Sequence, residues 1–215
     1  RSSGDFAQLA ALKRLRRGMD SEELLRRFSQ ERRILAGLSH PNIARLLDGG
    51  IDSQGRPWYA MEYVEGEPIT AYARRSQLGL RARLLLMRSV CETVAHAQGR
   101  LVVHRDLKPS NILVDARGEP HLLDFGIAKL LADSDDPALT ATGLRLLSPA
   151  YAAPEQILGQ TISTATDVYA LGLLLFELLV GQLPHRRGGG HPEALVQALA
   201  HETTDRPSHA LRIET

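Results

Sequence analysis

His104-Arg105-Asp106-Leu107-Lys108-Pro109-Ser110-Asn111, then Ile112-Leu113-Val114-Asp115, and a few residues later Asp124-Phe125-Gly126, is the stretch from which the rest of the chain can be read. It begins as a polar loop and passes through a short apolar strand. It then turns at Ala116-Arg117-Gly118-Glu119, returns as a second apolar strand at His121-Leu122-Leu123, and ends on Asp124. Strand, glycine-containing turn and strand predict a hairpin. A hairpin folds its second strand back along its first, so Asn111, just before one strand, and Asp124, just after the other, arrive side by side. Two oxygen donors facing one point suit Mg²⁺, which is commonly held by one or two side-chain oxygens together with substrate phosphates. Asp106 and Lys108 share the preceding loop, one able to accept a proton and the other to sit beside a phosphate as a compact cation. Together these residues point to phosphoryl transfer.

The 215 residues are enough to bury a core in one or two domains, and 43% hydrophobic with 24% charged residues is ordinary for a globular protein. A net charge of +1 argues against a dedicated nucleic-acid binder, so no nucleic-acid partner is expected. Lone Cys91 allows no internal disulfide, and its place in a helical pattern predicts a small core hydrophobe in a reducing compartment. The eight histidines lack paired ligand spacing, and no zinc site is predicted. The most apolar run, Val168 to Val180, is too short for a membrane span and contains Glu177, so it reads as a buried core helix. No membrane segment is expected within these residues. A cytoplasmic location follows as the expectation, with any membrane tether supplied from outside them.

Residues 6–17 contain the short apolar strand Ala10-Ala11-Leu12-Lys13. From Asp20 to Gly37 the pattern is helical, with Asp20 and Glu23 as a capping box and an apolar stripe of Leu24, Phe28, Ile34, Leu35 and Leu38. Glu31 falls on that stripe, and a carboxylate on a buried face wants a cation; Arg27 at i−4 is the local candidate. His40-Pro41 ends the helix region. Two strands follow around a turn at Asp52-Ser53-Gln54-Gly55, the second from Trp58 to Val64. Leu84, Met87, Cys91 and Val94 predict a long helix leading into the central loop.

The H-R-D-x-K-P-x-N string followed by D-F-G resembles the signature of eukaryotic-type protein kinases, in a form closest to the bacterial serine/threonine kinases. The resemblance implies an α+β, two-lobed fold, with a small antiparallel sheet lobe carrying one helix and a larger, mainly helical lobe. It divides the chain into a partial small lobe, 1–64, and a partial large lobe, 65–215. No G-x-G-x-x-G phosphate loop precedes Lys13 and the last helices of the large lobe have no counterpart, which reads as a kinase domain cut at both ends.

The same resemblance implies ATP and Mg²⁺ as cofactors, a protein substrate phosphorylated on Ser or Thr, and a set of roles. Asp106 would be the catalytic base, Lys108 would lie by the transferred phosphate, and Asn111 and Asp124 would hold the metal. Ala10-Ala11-Leu12-Lys13 resembles the V-A-I-K strand, with Lys13 on the phosphates, Glu31 pairing with it, and Ala11 lining the nucleotide. Met61-Glu62-Tyr63-Val64 resembles the hinge, with Met61 as gatekeeper and the Glu62 and Val64 backbones facing adenine. The segment from Asp124 to Ala153-Pro154-Glu155 resembles an activation segment. It implies dimer-based trans-autophosphorylation at Thr140 or Thr142, received by Arg105, while Ser148 and Lys108 point to Ser/Thr rather than Tyr substrates. Asp167 resembles the helix residue that ties down the H-R-D backbone; Gln98 stands where histidine is frequent, with little expected bearing on chemistry. Three other readings are weighed beside this one: a catalytically impaired kinase fragment, expected from the missing phosphate loop; a non-catalytic scaffold, which predicts loss of Lys13, Asp106, Asn111 or Asp124; and a small-molecule phosphotransferase of the aminoglycoside type, which lacks an A-P-E bracketed segment. All four residues are intact and the bracket is present.

Overall fold

The computed structural model describes residues 9–15, 22–126 and 150–184, the side chains of Glu23 and Leu24 excepted. Three strands, β1 (Ala10–Arg14), β2 (Leu46–Ile51) and β3 (Pro57–Glu62), form an antiparallel sheet in the order β1-β3-β2. A bend at Asp52 to Gly55 sets the β2–β3 register: Asp52 Oδ1 accepts from the backbone N–H groups of Gln54 and Arg56 at 2.8 and 2.9 Å, and Gly55 takes a φ of 76° that favours glycine. Helix α1 (Glu22–Ala36) covers one face of this sheet. Its buried residues Phe28 and Leu35, with Leu38 just beyond, pack with Tyr59 and Met61. Pro57, Tyr59 and Met61 alternate inward along β3, the period of two that a one-sided sheet requires. Ile34, expected on the buried stripe, is exposed instead, because it precedes Leu35 by one residue and so points about 100° round the helix. The Asp20 cap lies outside the described residues.

The chain then passes through Glu62 to Gly66 into a second three-stranded sheet and a helical layer. Strands β4 (Glu67–Pro68), β5 (Ile112–Val114) and β6 (Pro120–Leu122) lie in the order β4-β5-β6. Around them are α2 (Ile69–Arg75), α3 (Leu80–Gln98), the short α4 (Pro154–Ile157) and α5 (Thr164–Val180). Helix α5 begins where Ser163 Oγ accepts from Ala165 N–H at 3.2 Å and stops at Gly181, whose φ is 87°. Its apolar run packs on α3, so that Met87, Val90, Val94 and Ala97 meet Ala170, Leu174 and Leu178 in one core with Ile112, Val114 and Leu122.

Cys91 is exposed rather than part of that core. The buried stripe of α3 runs through Leu86, Met87, Val90, Thr93, Val94 and Ala97, and Cys91 stands one residue off it. Leu84 is likewise exposed, and on α5 Val168 faces out while Leu174 and Leu178 are buried. Among the described residues no helix is long and apolar enough to cross a membrane.

Candidate active site

The β5–β6 hairpin forms as its sequence predicts, with Ile112 opposite Leu122, and Leu123 N–H donates to the Asn111 carbonyl at 2.8 Å. Asn111, at the end of a 3₁₀ turn (Pro109–Asn111), and Asp124, just past β6, are thereby brought to the same end of the hairpin. Asn111 Nδ2 donates to the Asp106 carbonyl at 2.8 Å and to Asp106 Oδ2 at 2.9 Å. Lys108 Nζ lies 3.0 Å from the same Oδ2. The amide's two donor contacts orient its Oδ1 away from Asp106. The Asp106 carboxylate is therefore contacted by one amide and one ammonium on its own loop.

Lys13 extends from β1 to form an ion pair with Asp124 Oδ2, and Tyr59 OH donates to Asp124 Oδ1 at 3.2 Å. The expected partnership of Lys13 with Glu31 is not what this structure shows: Lys13 is paired with Asp124. Glu31, half-buried on α1, has its carboxyl pushed up by burial and pulled back by Arg105, so Arg105 is the cation that acts on it. The Lys13 ammonium is pushed down from its ordinary value by burial and by Lys108, against a smaller opposing pull from Asp106. Burial, with the Asp106 charge, pushes the Tyr59 phenol up to about 12.

The loop carrying Asp106 is anchored from behind. Asp167, almost fully buried on α5, accepts from His104 N–H on Oδ2 and from Arg105 N–H on Oδ1, both at 2.9 Å. This is the tie expected of Asp167. Gln98 Nε2 adds a third donor to Asp167 Oδ2 at 3.2 Å, so this residue has more bearing on the site than its sequence position suggested. Arg105 adopts a φ of 68°, a left-handed conformation costing a non-glycine residue about 1–3 kcal/mol, which the Asp167 contacts offset. The His104 ring is buried against Phe125, with centroids 4.7 Å apart. Its Nε2 lies 2.9 Å from the Leu123 carbonyl and so carries the proton, leaving Nδ1 to accept from Asp106 N–H at 3.3 Å. A single neutral ring thus joins the Asp106 loop to the backbone just before Asp124. From the other side, Gln156 Nε2 donates to the Arg105 carbonyl at 2.8 Å, and Glu155 Oε1 accepts from Thr166 Oγ1 at 2.6 Å.

Met61 is buried behind the site, Ala11 lies opposite it in the β1–β3 register, and Glu62 and Val64 follow as β3 gives way to the connection between the sheets. Gly66 in that connection touches β5 closely: a Cβ there would fall 2.6 Å from the Val114 carbonyl oxygen. Thr140, Thr142 and Ser148 lie outside the described residues. Tyr59, Gln98 and Gln156 were not foreseen as parts of the site. Only Tyr59 had a legible signal, its position two residues before Met61 on the inward face of β3.

Residues 4–209 match the family model described as protein kinase domain, and the chain belongs to that family. It is 38% identical over 184 residues to serine/threonine-protein kinase pkn3 of Myxococcus xanthus, covering 82% of this chain and 34% of that protein. To serine/threonine-protein kinase PrkC of Bacillus subtilis it is 36% identical over 190 residues, covering 88% and 28%. The chain thus spans about a third of the length of these curated relatives. Among solved structures, the PknI kinase domain of Mycobacterium tuberculosis superimposes with a TM-score of 0.66 at 28% identity, covering 96% of this chain and 78% of that one. The fold is the two-lobed kinase fold.

Proposed function

We propose that the chain is the catalytic part of a serine/threonine protein kinase, transferring the γ-phosphate of ATP to Ser or Thr hydroxyls of a protein. The observation that carries this reading is the convergence on one point of Asp106, Lys108, Asn111, Lys13 and Asp124, drawn from both sheets. Asp106 is held by Asn111 and Lys108, and its carboxylate would take the proton of a substrate hydroxyl. Lys108 would balance charge on the transferred group, and Lys13, paired with Asp124, would exchange that partner for phosphate oxygens when nucleotide enters.

The donor chemistry fits Mg²⁺ shared with phosphates. Asp124 offers a carboxylate and Asn111 an amide oxygen, both hard donors, and among the described residues no group of three or more His, Cys, Asp or Glu could cage a metal. When bound, the metal supplies charge neutralisation at the phosphates. Asn111 and Asp124 are the residues that would hold it; Glu31 would orient Lys13 once Lys13 leaves Asp124. Ala11, Met61 and the backbones of Glu62 and Val64 would receive the adenine.

Residues 1–64 are taken as belonging to the small lobe and 65–215 to the large one. Two copies would phosphorylate each other at Thr140 or Thr142, and the reaction would take place in the cytoplasm. The scaffold reading is disfavoured by the retention and convergence of all four residues whose loss it predicts. An Asp124→Ala variant tests the assignment: Mg-ATP-dependent phosphorylation of a generic protein substrate is expected to vanish, and undiminished turnover would overturn the metal role.

A further inference from the structure

Away from the reacting groups, two histidines meet where the loop after α1 rests on α3. The rings of His40 and His96 have centroids 4.5 Å apart and are tilted by 54°. Asn42 N–H donates to His40 Nδ1 at 3.1 Å, so that nitrogen holds a lone pair. His96 Nε2 lies 3.2 Å from the Ser39 carbonyl oxygen, which can only accept, so the His96 proton is on Nε2. His96 Nδ1 is then left as the acceptor, 3.3 Å from Arg100 Nη1, which can only donate. Each ring has a single lone pair, and each lone pair faces an N–H. A second proton on either ring sets N–H against N–H and adds a cation beside Arg100.

Burial, His96 and Arg100 all push the His40 pKa down. The charges brought to this pair by α3 are Arg100 and, one turn earlier, Glu92, which is paired with Arg88 at 3.5 Å. On the hairpin side, His121 is engaged by Asp115 at 3.3 Å. Among the described residues α1 and β2 contribute no charge that acts on His40.

The same loop grips the strand that ends at the metal-site carboxylate. Leu122 N–H donates to the Asn42 carbonyl at 2.8 Å, Ala44 N–H donates to the Leu122 carbonyl at 2.9 Å, and Asn42 Nδ2 donates to the Pro120 carbonyl at 2.8 Å. We propose that His40 and His96 are positioning residues: as a neutral imidazole pair they hold the loop that fixes β6, and through it Asp124, so that phosphoryl transfer falls off on acidification as His40 takes up a proton. The sign follows from linkage. The folded state takes the His40 proton less readily than the unfolded chain, so the stability of the lock is lost as pH falls below the unfolded value of about 6.5.

The test uses the wild-type protein and an H40N/H96Q double variant, which keeps an acceptor for Asn42 N–H and a donor for the Ser39 carbonyl but cannot titrate. Taking up one proton over roughly 0.7 unit below that value shifts an equilibrium by at most about fivefold. Between about pH 7.5 and about pH 5.8, the ratio of wild-type to variant kcat/KM should therefore fall, by up to roughly fivefold. This activity arm rests on the kinase reading; hydrogen exchange does not. After correction for the intrinsic pH dependence, the opening equilibria of the Leu122 and Ala44 amides should rise by a similar factor in the wild type and stay unchanged in the variant. If the double variant fails to fold, H40N alone, which removes the ring whose proton the linkage argument follows, takes its place in both arms. Equal exchange behaviour in the two proteins would overturn the proposal, whatever the activities show. Absence of kinase activity at every pH, with the exchange difference present, would sink the kinase reading and leave the histidine lock standing.

Discussion

Replacing Asp167 by alanine removes the acceptor for His104 N–H and Arg105 N–H, two backbone groups that it meets at 2.9 Å at a site almost closed to solvent. Hydrogen bonds to a charged group contribute about 1.5–3 kcal/mol each, so the pair sets an upper range of about 3–6 kcal/mol. Water entering the space left by the carboxylate offsets part of that, and we expect a net loss of about 3 kcal/mol. With a urea dependence of about 3 kcal/mol/M, the midpoint of urea denaturation should fall by about 1 M. The left-handed Arg105 backbone loses its anchor at the same time. Asp106 then drifts, and a displacement of about 1 Å at a reacting group costs roughly 10²-fold in rate. Asp167→Asn keeps one acceptor oxygen and should lose about half as much stability. Urea denaturation followed by circular dichroism is the assay. A midpoint shift below about 0.3 M for the alanine variant, or an asparagine variant as unstable as the alanine one, would refute the reasoning.

Tyr59→Phe deletes the hydroxyl that donates to Asp124 Oδ1, and kcat/KM should fall by about fivefold, corresponding to about 1 kcal/mol. The Tyr59 phenol is held at about 12, and burial with the Glu177 carboxylate pushes the Tyr151 phenol up as well, so an ultraviolet titration should show two fewer tyrosines ionising near pH 10 in the wild type than after unfolding. Because the unfolded chain gives up those protons first, stability should decline as pH rises from about 10 toward those higher values. Gly66→Ala would drive a Cβ to 2.6 Å from the Val114 carbonyl oxygen, a backbone atom that cannot swing aside. We expect a loss of about 1–3 kcal/mol in denaturation and a raised KM for ATP, as the connection between the sheets shifts. Lys13→Ala should raise the KM for ATP and lower kcat; unchanged steady-state constants would show that its pairing with Asp124 has no part in nucleotide binding.

The hairpin that brings Asn111 beside Asp124 was legible because strand pairing is local and the turn residues declare themselves in the sequence. The α5 tie on the Asp106 loop was legible through resemblance, since Asp167 stands 61 residues from Asp106 and no local pattern joins them. The third donor on Asp167, Gln98, was not, because an amide at the end of a helix carries no periodic signal. The misplacements of Ile34 and Cys91 share one cause: an apolar helix stripe covers about 100°, and a residue at its edge is moved in or out by what the facing element presents. The pairing of Lys13 is of another kind. Resemblance alone implied that Lys13 meets Glu31, and no local pattern joins Lys13 to Asp124, because the choice of partner depends on how the two sheets are set against each other.

The most direct test of the central claim is transfer of labelled γ-phosphate from Mg-ATP to a generic protein, followed by phosphoamino-acid analysis, for the wild type and for Asp106→Asn. The account predicts phosphoserine and phosphothreonine with the wild type, and a drop of about 10²-fold or more when the carboxylate held by Asn111 and Lys108 becomes an amide. Equal turnover by the two proteins, or label passing to an aminoglycoside and not to protein, would contradict it.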